Sequence, residues 1–255
     1  MTNPMNSESS APGHLSIDPW GFFKTLLTII VVLHIFSAFA VWARVSGAPW
    51  YINDFAEYFN VGIEQNIPTL YSVLAWTTAA AITGIIAHFE ASEKARFTGR
   101  WRALSFIFLF LAFDEGTTFH EHMGDLTEEY LTPMGWLAPT GYLYFIWVLP
   151  YGALVMLLAG LYAPFLDALP NRTKWGLILS AAIFLGGAMG IEMISASVYE
   201  TKTVRHSALY AVLYSIEEFL EMLGVALLNF YMLDYLKTRV PTLSLSWRQI
   251  KVDGK

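Results

Sequence analysis

The sequence predicts an all-α integral membrane protein, a bundle of six transmembrane helices with both termini in the cytoplasm. Three observations lead to this prediction. Of the 255 residues, 55% are hydrophobic and only 14% are charged, whereas soluble domains carry about 25% charged residues. Six apolar stretches are each long enough to cross about 30 Å of hydrocarbon. Lysine and arginine are concentrated in alternate loops, as the positive-inside rule requires.

The predicted spans are joined by loops that are mostly short. The spans cover residues 21–43, 70–89, 101–123, 138–161, 175–199 and 207–234. Tryptophans at their ends are typical of an aromatic belt; these are Trp20, Trp42, Trp50, Trp101, Trp136 and Trp175. The aromatic segment 44–69, between the first two spans, predicts an interfacial helix followed by a turn.

The distribution of charge predicts the orientation. The loop after the second span, the loop at 162–174 and the C-terminal segment hold most of the basic residues, which are Lys94, Arg96, Arg100, Arg102, Arg172, Lys174, Lys237, Arg239, Arg248, Lys251 and Lys255. The loop at 124–137 has no basic residue. We therefore expect a disordered N-terminal tail at 1–19, a transmembrane domain at 20–236 and a cytoplasmic C-terminal tail at 237–255.

Composition also excludes several classes of protein. There is no cysteine, so disulfides, iron–sulfur clusters and thiolate zinc sites cannot form. The net charge is −6 and no dense basic cluster occurs, which argues against a nucleic-acid partner. Membrane lipids are the expected surroundings.

The third span ends in an unusual stretch, FDEGTTFHEHMGD, at residues 113–125. A charged side chain at the centre of a bilayer costs roughly 2.5–3.5 kcal/mol on insertion scales, so such groups are functional candidates. At 1.5 Å per residue, Asp114 lies about 20 Å and Glu192 roughly 25 Å from the cytoplasmic side. Glu217, Glu218 and Glu221 lie about 15–20 Å from the outer side. Acids on three spans thus meet in the outer half of the membrane.

Helical phase predicts which side chains share a face. With roughly 100° per residue, Asp114, Thr118 and Glu121 form one stripe of the third span. Glu115 and His122 form the adjoining stripe.

His120 points to the opposite side unless Gly116 or Gly124 breaks the helix. In the last span, Glu217 and Glu221 share a stripe.

Carboxylates and imidazoles that converge from several helices are typical of metal sites in bundles. The candidate ligands of a divalent iron, manganese or zinc ion are Asp114, Glu115, His120, His122, Glu192, Glu217 and Glu221. Glu218 and Glu121 are candidate catalytic bases, and the further candidate site residues are Glu64, Asn66, Thr118 and Tyr214. The usual Glu-x-x-His pairs of such bundles are absent. Asn66, just before Pro68, equally suits a helix N-cap.

These residues support more than one function. The first hypothesis is a metal-dependent membrane enzyme that acts on a lipid or another apolar small molecule. The second is a proton or cation channel or transporter that uses the same carboxylates. The third is an accessory subunit of a larger membrane complex or a homo-oligomer, in which the acids only hold the helices together. The sequence does not choose among them.

One combination of motifs resembles a known group. The segment E64-Q-N-I-P-T69, followed by F113-D-E and H120-E121 and then by an acid-rich last span, is similar to small multi-span bacterial membrane proteins of uncharacterised function. The resemblance covers residues 20–235 and implies no reaction. It implies a location in a bacterial inner membrane. It also implies that Glu64, Asn66, Asp114, Glu115, His120 and Glu121 belong to one pattern.

Overall fold

The structure, a computed structural model, describes residues 13–16, 18–135, 139–200, 207–239 and 242–245. Nine α-helices occur in this described part, and their bounds are α1 Pro19–Val45, α2 Trp50–Glu57, α3 Ile67–Ser92, α4 Thr98–Thr117, α5 Phe119–Leu131, α6 Val148–Asp167, α7 Asn171–Leu185, α8 Glu192–Tyr199 and α9 Ala208–Arg239. A 3-10 turn at Gly141–Leu143 precedes α6, and a π-helical segment, Gly186–Ile191, joins α7 to α8. The predicted helical class is confirmed.

Two short strands lie outside the helices. β1, Gly13–Ser16, pairs in antiparallel register with β2, Thr242–Leu245. The predicted tails therefore meet at these eight residues. The rest of the tail prediction at 1–12, 17, 240–241 and 246–255 lies outside the described residues, as does Trp136 of the predicted belt.

Four helices are long and apolar enough to span a membrane: α1, α3, α6 and the run from α7 to α8. Their exposed side chains include large apolar ones such as Ile35, Phe39, Met156 and Leu157. In water such a surface would be unstable, and in lipid it is favourable. Integration into a membrane is therefore supported. α4 and α9 carry the buried acids and do not count among the four.

The long helix α9 lies at the centre of the bundle, in contact with α1, α3 and α7. Small residues permit the close approach to α7. A Cβ atom on Gly187 would stand 2.7 Å from the carbonyl oxygen of Glu217, and one on Gly224 would stand 2.7 Å from the backbone nitrogen of Phe184. This agrees with the packing role expected of small residues in membrane helices.

The N-terminal end of α1 and the C-terminal end of α9 lie at the same end of the bundle. The ring of Trp20 in α1 lies 5.5 Å from the ring of Phe230 in α9. At the same end, Tyr235 donates to Glu90 at 2.8 Å, and the Arg239 guanidinium lies 3.1 Å from the same carboxylate. Trp101 is buried and stacks on Tyr235, so its prediction as a belt residue is wrong. Trp20, Trp42, Trp50 and Trp175 are exposed.

Three predicted spans differ in their helix boundaries. The third is not one helix from 101 to 123, because Thr118 adopts a left-handed conformation with φ 54° and separates α4 from α5. The fourth begins at Val148 rather than near 138, since a turn and a 3-10 segment occupy the preceding residues. The fifth contains the π-helical segment. The segment predicted as interfacial forms α2 and a turn.

Candidate metal centre

The site forms at the end of the bundle opposite Trp20 and Arg239, where α3, α4, α5 and α9 approach one another. Three side chains there, Glu64, His120 and Glu121, each place a ligand atom within 4.8 Å of the other two. Two carboxylates and one imidazole are suitable donors for iron, manganese or zinc. We call these three residues the Glu–His–Glu group.

The loop before α3 holds Glu64 in place. The Asn66 side chain accepts from Thr69 N at 3.2 Å and donates to Asn60 O at 2.7 Å. Asn66 is thus the N-cap of α3 and a brace of the loop, as the capping interpretation predicted. Close packing of Gly62 against the ring of Tyr214 fixes the loop against α9.

Glu64 titrates differently from an ordinary glutamate. Loss of contact with water raises the pKa of Glu64 to about 7, and the charge of Glu121 acts in the same direction, while His120 acts against them. The side chain still has 44% of its surface exposed. Near neutral pH, part of the Glu64 population is therefore protonated.

His120 lies between two carboxylates. Its Nδ1 atom is 3.4 Å from Oδ2 of Asp114, and its Nε2 atom is 3.9 Å from Oε1 of Glu64. Asp114 is buried and accepts from the Tyr151 hydroxyl at 2.9 Å. A carboxylate on one ring nitrogen orients the other nitrogen, as in many metal-binding histidines. Tyr151 and Asp114 therefore aim the Nε2 atom toward Glu64.

The aromatic start of α6 covers this histidine. The ring centroid of Trp147 is 4.9 Å from that of His120. A Cβ atom on Gly124 would stand 3.2 Å from Cβ of Trp147, so α5 and α6 pack closely here. Sequence reasoning missed Trp147 and Tyr151. Their spacing of four residues, which puts two aromatic side chains with polar atoms on one helix face, was the available signal.

The remaining acids form a second layer behind the Glu–His–Glu group. Glu217 accepts from the Ser195 hydroxyl at 3.1 Å and is adjacent to Glu192. Glu218 lies near Glu115, Glu64 and Glu192. Glu221 is deeper and borders on Glu218. The structure thus brings together all but one of the candidate ligands.

The exception is His122. Its Nδ1 atom lies 3.1 Å from the Thr118 carbonyl oxygen, and its side chain lines neither of the cavities that border the site. Thr118 contributes through its left-handed backbone conformation, and Tyr214 lines the polar one of these two cavities.

Two cavities meet at the site. An apolar cavity of about 820 Å³ extends between α4, α6 and α7. A polar cavity of about 600 Å³ lies on the side of α5 and the 3-10 turn. Residues that line both are Val61, Glu64, His120, Trp147, Glu192, Glu217 and Glu218. The carboxylates and the histidine therefore lie at a boundary between apolar and polar space.

These features define a class: a helical protein with membrane-length helices and a carboxylate–histidine group that could hold a metal ion. Residues 25–235 match the family described as a domain of unknown function, DUF8692, and the chain belongs to that family. No curated protein and no solved structure matches the chain. The predicted resemblance to an uncharacterised group is thus confirmed.

Proposed function

We propose that this protein is a metal-dependent membrane enzyme that acts on a lipid or another apolar small molecule. The observation that carries the proposal is the position of the Glu–His–Glu group at the junction of the apolar and polar cavities. An apolar substrate can reach this junction from one side and water from the other.

Each layer of the site has a distinct part in this proposal. Glu64, His120 and Glu121 hold the ion, and Asp114 with Tyr151 orients His120. A bound divalent cation would polarise a substrate oxygen or lower the pKa of a water molecule. Glu218 faces both cavities and is the candidate proton acceptor. Sequence reasoning assigned Glu121 a catalytic part and Glu64 a supporting one, and the geometry favours both as ligands.

The proposed setting is a bacterial inner membrane. In it, α4 and α9 cross the bilayer together with the four most apolar helices, which gives six spans and cytoplasmic termini. Their acids then face protein and cavities rather than lipid, as intramembrane charges require. The site lies in the outer half of the bilayer in this arrangement.

Metal analysis of the purified protein tests the proposal. We expect wild type, purified in detergent without added chelator, to hold iron, manganese or zinc in a fixed ratio to protein. His120→Ala should lose most of the metal, because it removes the only nitrogen ligand of the Glu–His–Glu group.

His122→Ala is the matched control. The His122 side chain lies outside the Glu–His–Glu group, and its Nδ1 atom is 3.1 Å from the Thr118 carbonyl oxygen. The His122→Ala protein should therefore keep the metal. A wild-type protein without stoichiometric metal, or equal metal content in the two histidine variants, would refute the proposed centre.

A proton or cation pathway is the second candidate function. Four carboxyl groups follow one another into the bundle, those of Glu64, Glu115, Glu218 and Glu221. This succession favours a pathway for protons or cations. Beyond Glu221, however, the α9 residues that line the cavity are Gly224, Leu228 and Met232. At 1.5 Å per residue, Leu228 and Met232 extend this apolar interval about 16 Å past Glu221. An enzyme site open to one side fits this arrangement better than a path across the membrane.

A further inference from the structure

The apolar cavity has a defined shape. Helix α6 is attached to α4 at two places: Tyr151 donates to Asp114 at 2.9 Å, and Tyr162 donates to the Arg100 carbonyl at 3.3 Å. Between these contacts the cavity separates the two helices. Its walls in this interval are Leu104, Ile107 and Leu111 of α4 and Leu154, Val155 and Leu158 of α6.

The length of the cavity follows from the helix that lines it. Tyr151 and Tyr162 are eleven positions apart along α6, which corresponds to about 16 Å. This is roughly half of the 30 Å hydrocarbon thickness of a bilayer. The cavity is therefore about half a bilayer deep, and its volume of about 820 Å³ suits one small ligand. The carboxylates and His120 lie at one end of it.

The cavity is open on the lateral face of the bundle. Phe106 of α4 and Leu154 of α6 line it and are also exposed, by 71% and 44%. An apolar molecule dissolved in the membrane can therefore enter sideways between α4 and α6, without crossing the polar cavity.

The charge of the site restricts the head of such a molecule. Within the described part of the chain, the residues that line the two cavities include ten acids and His120 but no lysine or arginine. Phosphate and carboxylate groups are bound in proteins chiefly by arginine, lysine and helix N-termini. An anionic head would therefore find no basic side chain to pair with among these lining residues.

We propose that the substrate is a single-chain amphiphile with an uncharged head, for example one that bears a hydroxyl group. Its chain lies between α4 and α6, and its head lies at the Glu–His–Glu group beside the polar cavity. This assignment rests on the proposed function, because it places the head where the metal ion would act. The phosphate of a phospholipid would have no basic side chain to pair with among the lining residues, and a cavity of this volume suits one small ligand better than two long chains.

Photolabelling in nanodiscs tests this proposal. The two probes have the same twelve-carbon chain with a diazirine at its end, and one carries a primary alcohol as head while the other carries a phosphate. We expect the alcohol probe to label α4 and α6 residues that line the cavity, and excess 1-dodecanol to suppress the labelling. The phosphate probe should label these residues about tenfold less or not at all, because no basic side chain among the lining residues can pair with its phosphate.

Two pairs of variants control for position and folding. Leu158→Trp and Leu111→Trp place an indole ring into the cavity from opposite walls. Because the ring takes up space that the probe chain would occupy, each variant should lower the labelling about tenfold. Met156→Trp and Leu109→Trp, at exposed residues of the same helices that do not line the cavity, should leave it unchanged. Equal labelling by the phosphate probe, or labelling unaffected by both cavity variants, would overturn the proposal.

The outcome is separate from that of the metal analysis, since labelling requires neither metal nor turnover. Cavity labelling without stoichiometric metal would refute the proposed enzyme and leave a binding site for uncharged amphiphiles. Metal without cavity labelling would refute the substrate class and leave the metal centre.

Discussion

Thr118 determines which histidine reaches the site. A continuous helix through residues 113–125 would place His122, and not His120, beside Glu115. The left-handed conformation of Thr118 turns α5 away from α4 and brings His120 to Asp114. For a β-branched residue this conformation is unfavourable, by about 1–2 kcal/mol. Strain of this kind persists where the surrounding structure demands it, often at functional sites.

Substitution at Thr118 should reveal this cost. We expect Thr118→Gly to be more stable than Thr118→Ala by about 1 kcal/mol, because glycine adopts positive φ without steric penalty. Thermal unfolding in detergent measures the difference.

The neighbouring residue provides the control. Thr117 is exposed and helical, so at this position alanine should be the more stable variant, by up to about 1 kcal/mol. The same order of alanine and glycine at both positions would contradict the assignment of strain to Thr118.

At the scale of elements, the approach of the π-helical segment to α9 builds the second layer of acids. The π segment adds a residue to the helical turn just before Glu192, and Glu192 and Ser195 then face Glu217. Gly187 makes the approach possible, since its missing side chain leaves room for the backbone of Glu217. An unbroken helix would rotate Glu192 relative to α9.

Gly187→Ala should therefore separate the two elements. We expect a loss of about 1–3 kcal/mol in the free energy of unfolding, as for other overpacked positions, together with a lower metal content. Gly186→Ala is the matched control, because a Cβ atom there meets nothing within 4 Å. If both variants unfold at the wild-type temperature, the close approach of α9 to Gly187 is not a requirement of the fold.

At the scale of the whole molecule, we expect α4 to cross the membrane beside α3. Four helices qualify by length and composition alone. α4 forms an antiparallel hairpin with α3, in which Ser105 donates to the Ala80 carbonyl at 2.8 Å. A helix paired in this way along a spanning helix should also span.

The absence of cysteine from the chain makes this testable with single introduced thiols. Ser92→Cys and Thr132→Cys place exposed thiols before α4 and after α5. With six spans, a membrane-impermeant maleimide should label Thr132→Cys in intact spheroplasts and Ser92→Cys only after the membrane is opened. Labelling of both residues from the same side would show that α4 does not cross.

The approximate positions of the helices and the grouping of the buried acids could be predicted from the sequence. The long runs of apolar residues predicted the approximate positions of the helices, because a helix needs a minimum number of apolar residues to cross the lipid. Depth along each helix correctly grouped Asp114, Glu192 and Glu217, since rise per residue is nearly constant. Asn66 before Pro68 predicted the N-cap of α3.

The remainder required the tertiary structure. Local sequence does not reveal the left-handed backbone conformation of Thr118. Because of it, the side chains after Thr118 on the predicted third span point in other directions than a continuous helix predicts. Tyr151 and Trp147 join the site only because α6 packs beside α5. Glu64 becomes a candidate ligand only because the loop before α3 folds over the end of α4.

By itself, then, the sequence determined that buried acids meet near one end of a membrane-type helical bundle. Hydrophobicity and helical rise act locally, and both can be read residue by residue. The tertiary structure decided that His120, Glu64 and Glu121 form a group that could hold a metal ion, and that an apolar cavity leads to it. Contacts between residues distant in the chain determine both, and no local pattern encodes their geometry.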